Sequence, residues 1–500
     1  MMYRQKTRRE VLQAALGAAA AAPFAAIGIR TAESANGSAS VELDGIGTAE
    51  AIRAGSMTAE EAVASAIRRA KLAQPRINAI VTETYETAMK AAAGQPGGAF
   101  GGVPTFIKDL DDVRGVPTHY GSRSFGQQPA TSQSPFVDAL QRAGLVSLGK
   151  SATPEFGLTA TTEPLFGGPC RNPWNPDYST GGSSGGAAAL VAARVVPVAH
   201  ATDGGGSIRV PASCCGVFGL KPSRDRTVST GRPPAPLEIS VGNAVSITVR
   251  DNAQWLAAVE QTGSGSALPA IGMVPGPSKR RLKIAVDLES LTGAPLHADV
   301  KAAVEDTARK CAALGHDVEI APLPLDKNAF YNAFILYWSS SAAKIAADLS
   351  QRLDRPVTDQ DLEPWTLGLA AHYAEHKSGF EAALATLRAS SETCAAFYRQ
   401  HDVLLTPTLC TPPPPIGFLA PDLPFETCFE RIRGFVGFTP IQNASGTPGM
   451  SVPLHMSGKG IPIGSHFAAR AGDERTLLEL AYELEDAHPW AGRRAPGAVS

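Results

Sequence analysis

The sequence predicts an α/β protein: one large domain, residues 36–500, in which a mixed, mostly parallel twisted sheet is covered by helices. Three observations predict it. Strand-like and helix-like periodicities alternate along the chain, the pattern of strands joined by helical crossovers. No repeat period or flexible linker interrupts that alternation, and 500 residues accommodate one large core. The 49 glycines and 39 prolines exceed the average share but stay below the roughly 25–30 % that marks low complexity, so they read as turns of a globular chain.

The elements follow in order. "TAEEAVASAIRRAKLAQP" opens with Thr58 and Glu61 in capping-box spacing and carries apolar residues at helical period, so it reads as an amphipathic helix ending at Pro75. "INAIVTET" is a strand, and "GGVPTFIKDLDDVRGVPTHYGS" a strand, turn and loop around Lys108. "SPFVDALQRAGLVSLGKS" gives a helix, a Gly144 stop and a buried strand. "AAALVAARV" is helical and "VVPVAHAT" extended; "KRRLKIAVD" and the segment through "GHDVEIAPL" make strand, helix, strand. Residues from about 325 to 400 are helix-rich by apolar spacing. The prolines of "TPTLCTPPPPIGFLAPDLP" demand an extended loop, since they cannot donate ladder hydrogen bonds. "GDERTLLELAYELEDAHPW" is a closing amphipathic helix.

Composition narrows the partners. A formal net charge of −2 with 18 % charged residues leaves no electrostatic footprint for nucleic acid or an anionic membrane surface. A small-molecule partner fits better. Residues 1–35 form a separate object: Arg8 and Arg9 precede the Ala-rich run "AALGAAAAAPFAAIGI", the layout of a twin-arginine-type export signal. Pro23 and the many alanines make that run weakly hydrophobic for a stable span. The expectation is a periplasmic or secreted protein, cut between about Ala32 and Ala39, with no stable membrane anchor after processing. The seven cysteines are an odd, sparse set rather than a disulfide framework. Neighbouring Cys214 and Cys215 read as core. No Cys or His spacing matches a zinc site, and His372 and His376 of "HYAEH" read as a solvated helix face.

Chemistry concentrates in "YSTGGSSGGAAALVAARVVPVAHATDGGGSIRVPASCCG", where two glycine-flanked serines, Ser183 and Ser207, bracket one helix and one strand. A phosphate cradle needs a Gly-Lys-Ser/Thr or a fixed dinucleotide spacing that the segment lacks. A nucleophile elbow at Ser183, serving a Ser-His-Asp esterase, needs a strand immediately upstream; Pro173 and Pro176 stand there instead. A third reading uses both serines. Gly204, Gly205 and Gly206 let successive backbone N–H groups point into one concavity, an oxyanion hole beside Ser207, with Ser183 as a relay. A serine needs a base to become nucleophilic. Lys108 serves if burial keeps its amine neutral, at a cost of ~4 kcal/mol; otherwise it is an ion-pair partner of Asp109 or Asp111.

The motifs "IKD", "TGGSSGGAAA" and "DGGGSIRVPASCCGVFGLKP" resemble the amidase signature hydrolases. The resemblance continues through "PEFG" at Pro154, "RNPWNP" at Arg171 and "NASGTPGMSVPL" at Asn443, and so covers nearly all of the chain after the signal. It implies the amidase signature fold, a Ser207, cis-Ser183, Lys108 triad and an acyl-enzyme route to cleaving carboxylic amides, with no metal or cofactor. It also implies supporting roles for Asp203, Arg209 and Ser184. The C-terminal part is most similar to the branch containing 6-aminohexanoate cyclic dimer hydrolase. Two positions depart from the family pattern: Thr180 stands where proline commonly precedes the glycine pair, and Tyr120 stands where the residue is often small. Tyr120, with Tyr331 and Trp338 of the helix-rich section, is a candidate for the substrate pocket. Aryl amides, aminoalkanoate oligomers, peptide amides, carbamates and esters are all compatible substrates, and a homodimer is compatible with the same reading. A catalytically idle subunit of the amidotransferase type is the alternative from another class.

Overall fold

Capping chemistry sets the start of the first long helix. Thr58 Oγ1 accepts from the Glu61 N–H (3.1 Å) and Glu61 Oε2 accepts from the Thr58 N–H (2.8 Å), the reciprocal box expected from sequence. The helix spans Ala59–Ile77 rather than stopping at Pro75. Proline's fixed φ suits a helix, so the chain turns through it and ends where Asn78 adopts the left-handed conformation (φ 47°).

The computed structural model describes residues 43–231 and 233–499; the export signal expected at 1–35 and its cut site lie outside them. The strands are β1 Ile80–Glu83, β2 Pro104–Lys108, β3 Val146–Ser151, β4 Val198–Asp203, β5 Phe218–Lys221, β6 Val241–Ser246, β7 Lys283–Val286, β8 Asp317–Ile320, β9 Val403–Pro407, β10 Gly449–Met456 and β11 Pro462–Ala469. A three-stranded sheet has the order β1-β3-β2, and an eight-stranded sheet the order β4-β6-β5-β10-β11-β9-β7-β8. The small sheet abuts the large one at β4: Thr105 Oγ1 donates to the Val198 carbonyl (3.0 Å) and the Lys108 N–H to His200 Nδ1 (3.2 Å).

The mixed sheet and its helical cover are as expected; the predominance of parallel pairs is not. In the large sheet only β7–β8 and β7–β9 pair in parallel, and the other neighbours are antiparallel. Connection length accounts for the pairs joined directly. The 16-residue helix Ala298–Ala313 is long enough to carry β7 over to a parallel β8, whereas β10 turns straight into an antiparallel β11; β4 and β5, joined by the helix Arg209–Cys215, run the same way on either side of an antiparallel β6.

Helices on the sheets create the core. Glu474–Ala487 seats Leu477, Leu478, Leu480 and Leu484 against Phe218, Leu405, Val452 and Phe467 of the strands. Gly185–Ala192 is buried over its whole length. The helix-rich section resolves into Lys327–Leu353, Pro364–His376 and Phe380–Phe397. A distant carboxylate starts the second of these: Glu155 Oε2 accepts from the Glu363 N–H (2.9 Å) and Thr366 Oγ1 (2.6 Å), and Glu155 Oε1 from Ser122 Oγ (2.8 Å). Glu363 itself accepts from the Leu165 N–H (2.6 Å). Both carboxyl groups are 2 % exposed. Burial, then the facing Glu155 carboxylate, pushes the Glu363 acid up to about 8.

Two outcomes follow from this packing. A Cβ on Gly186 would lie 2.4 Å from the Ala152 backbone nitrogen, so Gly186→Ala should cost about 1–3 kcal/mol in denaturant unfolding. Glu363 stays protonated in the fold while its unfolded counterpart ionises in the ordinary carboxylate range. The native state therefore binds more protons across that window, and the thermal midpoint should fall as pH rises from about 5 to about 8. Glu363→Gln should flatten that slope in a pH series of melting curves.

Candidate active site

Lys108 ends β2, a strand buried throughout, and its own side chain is 0 % exposed. Its Nζ lies within hydrogen-bond distance of three hydroxyls: Ser183 Oγ at 2.7 Å, Ser184 Oγ at 2.8 Å and Thr202 Oγ1 at 3.1 Å. The two serines come from the turn that opens helix Gly185–Ala192, with a cis peptide between Gly182 and Ser183; Thr202 comes from β4. The neighbouring carboxylates look elsewhere. Asp109 Oδ1 lies 3.3 Å from Lys150 Nζ, and Asp111 Oδ2 lies 3.9 Å from His200 Nε2. Ser183 is hydrogen-bonded to the lysine and to no histidine among the described residues. The segment before it forms only isolated bridges, Arg171 to Ser179 and Tyr178 to Pro415, so the strand required by a nucleophile elbow is missing.

Ser207 belongs to a loop built around a sealed ion pair. Asp203 and Arg209 are both 0 % exposed. Arg209 Nε donates to Asp203 Oδ2 and Nη2 to Oδ1, each at 2.9 Å, a two-pronged match that fixes both groups. The carboxylate also takes the Gly206 N–H (2.8 Å), the Ile208 N–H (3.1 Å) and Asn443 Nδ2 (2.9 Å). Burial raises the Asp203 acid, but the Arg209 charge and these bonds prevail and hold it well below the usual carboxylate range. Arg209 Nη1 also faces His466 Nε2 at 3.1 Å. A guanidinium only donates, so His466 Nε2 must be an acceptor and its Nδ1–H is directed at Thr406 Oγ1 (2.8 Å). Burial and the same cation depress His466 well below its ordinary value. Lys221 is lowered to about 7 by burial and by Arg209.

One expected role is corrected by this loop. The Gly206 N–H is committed to Asp203 and so cannot serve an oxyanion. Gly206 instead sits at φ +136°, where a Cβ would lie 2.3 Å from Thr439 Oγ1; its task is close approach. The N–H groups of Gly204, Gly205 and Ser207 have no acceptor among the described residues. The two serine loops are joined by the Ser184 N–H donating to the Ser207 carbonyl (3.3 Å).

Ser207 opens on a narrow cavity of about 70 Å³ floored by Gly182, Gly205 and Gly206. Tyr331 and Trp338 line it, together with Phe334, Trp365 and Ile432, and no lining side chain among the described residues is charged. Trp338 Nε1 and Trp365 Nε1 both donate to the Leu158 carbonyl (3.1 and 3.0 Å), which satisfies both indoles while their rings face the cavity. Tyr120 does not line it. Its ring packs on Phe125 and Phe156, and its hydroxyl donates to Asp112 Oδ1 (3.1 Å), in a second cavity. The φ of +56° at Tyr120 directs the side chain to that side.

Sequence reasoning missed Thr202, Trp365 and the role of Asn443. Asn443 donates to the Asp203 carbonyl (3.0 Å) and the Ile239 carbonyl (2.9 Å), while its Oδ1 accepts from Arg209 Nη2 (2.7 Å). The "NASGTPG" run was the available signal, but nothing local in it points to residue 203. Removing one member of a buried pair strands the other charge. Asp203→Ala should therefore lower unfolding stability by about 3–5 kcal/mol, read by urea titration.

Comparison with known proteins agrees with this geometry. The amidase family pattern matches residues 61–478. A putative amidase AmiC of Mycobacterium tuberculosis is 40 % identical over 458 residues, covering 91 % of this chain and 96 % of that protein. The 6-aminohexanoate-cyclic-dimer hydrolase of Paenarthrobacter ureafaciens is 34 % identical, covering 90 % and 96 %. A solved 6-aminohexanoate cyclic dimer hydrolase in complex with substrate superposes with a TM-score of 0.84 at 30 % identity, over 92 % of this chain and all of that one. A bacterial aryl acylamidase superposes at 0.82 with 25 % identity, over 90 % and 99 %. The chain belongs to the amidase signature family and is an amide-cleaving hydrolase.

Proposed function

We propose that the protein cleaves carboxylic amides through an acyl-enzyme on Ser207, with Ser183 passing protons to Lys108. The observation that carries this reading is the 2.7 Å contact from Lys108 Nζ to Ser183 Oγ in a site shut off from water. Desolvation disfavours the ammonium form, which leaves a lone pair to accept a proton.

Ser207 Oγ attacks the amide carbonyl carbon as its proton moves to Ser183 and the Ser183 proton moves to Lys108. The carbonyl oxygen becomes an oxyanion, held by the free N–H groups of Gly204, Gly205 and Ser207. The C–N bond then breaks, the relay returns the proton to the departing nitrogen, and the amine leaves. Water attacks the remaining ester by the same relay, which releases the acid and restores Ser207. Ser184 and Thr202 hold the lysine on line through their own hydroxyls.

The uncharged walls beside Ser207 favour an apolar, uncharged acyl group, aryl or alkyl. Similarity to an aryl acylamidase and to 6-aminohexanoate-cyclic-dimer hydrolases supports the same range. The paired arginines before the Ala-rich run support a periplasmic or secreted location.

With an aryl amide as substrate, Ser207→Ala should lower kcat by about 10⁴-fold or more. Ser183→Ala and Lys108→Met should lower it by at least about 10²-fold, with folding checked by circular dichroism. Turnover near wild type in Ser207→Ala overturns the scheme. Silence of the intact protein across amides and esters favours the idle-subunit reading instead.

A further inference from the structure

The second cavity, about 350 Å³, takes no part in the scheme above. Its walls include Leu110, Asp112, Tyr120, Gln133, Phe156 and Thr230, and Asp112 is its one charged lining residue among those described. Asp112 makes no ion pair among the described residues. Its Oδ1 accepts from the neutral Tyr120 hydroxyl (3.1 Å), and its Oδ2 has no hydrogen bond there. Two aromatic rings, Tyr120 and Phe156, line the same cavity, stacked on each other with centroids 6.4 Å apart and planes inclined by 24°. A half-buried carboxylate with one open oxygen in a cavity otherwise lined by uncharged and aromatic side chains is the chemistry that holds an ammonium group. Three neighbouring carboxylates, Asp109, Asp111 and Asp112, share the field of one buried ammonium, Lys150, and neither oxygen of Asp111 has a hydrogen bond.

The cavity also lies next to the relay. A Cβ on Gly157 would sit 2.9 Å from Leu110 Cδ1 and 3.0 Å from Ser183 Oγ, so a wall of the cavity and the relay hydroxyl are separated by a single glycine. In the amidase scheme Ser183 lies on the path that returns a proton to the departing nitrogen. The leaving group is therefore on this side, and the apolar cavity beside Ser207 is left to the acyl group.

We propose that the Asp112–Tyr120 cavity is a subsite for a cationic amine carried by the leaving-group half of the substrate, so that the enzyme favours amides of diamines or of amino-terminated chains over neutral isosteres. The assignment of sides rests on the amidase reading; the cation site itself does not. The test is calorimetric titration of the full protein carrying Ser207→Ala, which removes the nucleophile, with N-benzoyl-1,4-diaminobutane and, separately, with N-pentylbenzamide. That protein should bind the cationic compound about tenfold more tightly, with a preference that shrinks as salt is raised. Adding Asp112→Asn should erase that preference, whereas adding Asp112→Glu should keep most of it. Adding Tyr120→Phe, which leaves the carboxylate in place, should keep the preference. An affinity ratio near one in the Ser207→Ala protein, or a ratio unchanged by Asp112→Asn, overturns the proposal. Because binding is read with the nucleophile removed, failure of Ser207-dependent hydrolysis in the wild type bears on the amidase scheme and leaves this result standing or falling by itself.

Discussion

The ion pair between Asp203 and Arg209, sealed from solvent, is the constraint on which the rest of the site depends. Removing two charges from water costs several kcal/mol per ion unless every lone pair and N–H finds a partner. Here they do: the carboxylate collects the Arg209 guanidinium, Asn443 and the backbone N–H groups of Gly206, Ile208 and Arg209, and the guanidinium also reaches Gln442 and His466. Any displacement of the loop 203–209 breaks several of these bonds together. The loop is therefore held in place before a substrate arrives, and in the proposed scheme the N–H groups of Gly204, Gly205 and Ser207 would cost no reorganisation as negative charge develops beside them.

Arg209 also shapes the electrostatics beyond its own bonds. It holds His466 neutral and, with burial, brings Lys221 down to about 7. The strands behind the Ser207 loop thus contribute side chains that shed their charge rather than compete with Asp203. Lys150 and Lys108 form a second contrast. Each is buried at the end of a neighbouring strand, yet one faces the Asp109 carboxylate and the other three hydroxyls. A carboxylate stabilises an ammonium, whereas hydroxyls can be donors or acceptors as the proton moves. Burial lowers Lys150 despite that carboxylate, and in the proposed scheme it is Lys108, among hydroxyls, that carries the proton.

What could be read from sequence was local or carried by contiguous motifs. Lys108, Ser183, Ser207 and the Asp203–Arg209 frame each sit inside a short glycine-rich or strand-end run, and the capping box at Thr58 announces its helix. Strand direction was legible only where a long helix intervenes, as between β7 and β8; the short turn from β10 into β11 reversed the chain without altering the apolar periodicity. Asn443 and Glu363 could not be read, because each acts on a partner more than 200 residues away, Asp203 and Glu155 respectively. Tyr120 was recognised as unusual, yet its direction depends on a left-handed backbone angle that no side-chain pattern reports.

The seven cysteines carry a consequence of their own. All are free and buried, and burial drives each thiol upward, to about 11 at Cys394 and about 12 at Cys170, Cys311, Cys410 and Cys428. Sulfur exchanges or oxidises only as the thiolate, and at neutral pH that form is present on the order of one molecule in a thousand or fewer. Once folded, the chain keeps its thiols out of exchange: surroundings that oxidise exposed thiols find none ionised and open to solvent, and surroundings that reduce disulfides find no cross-link to open.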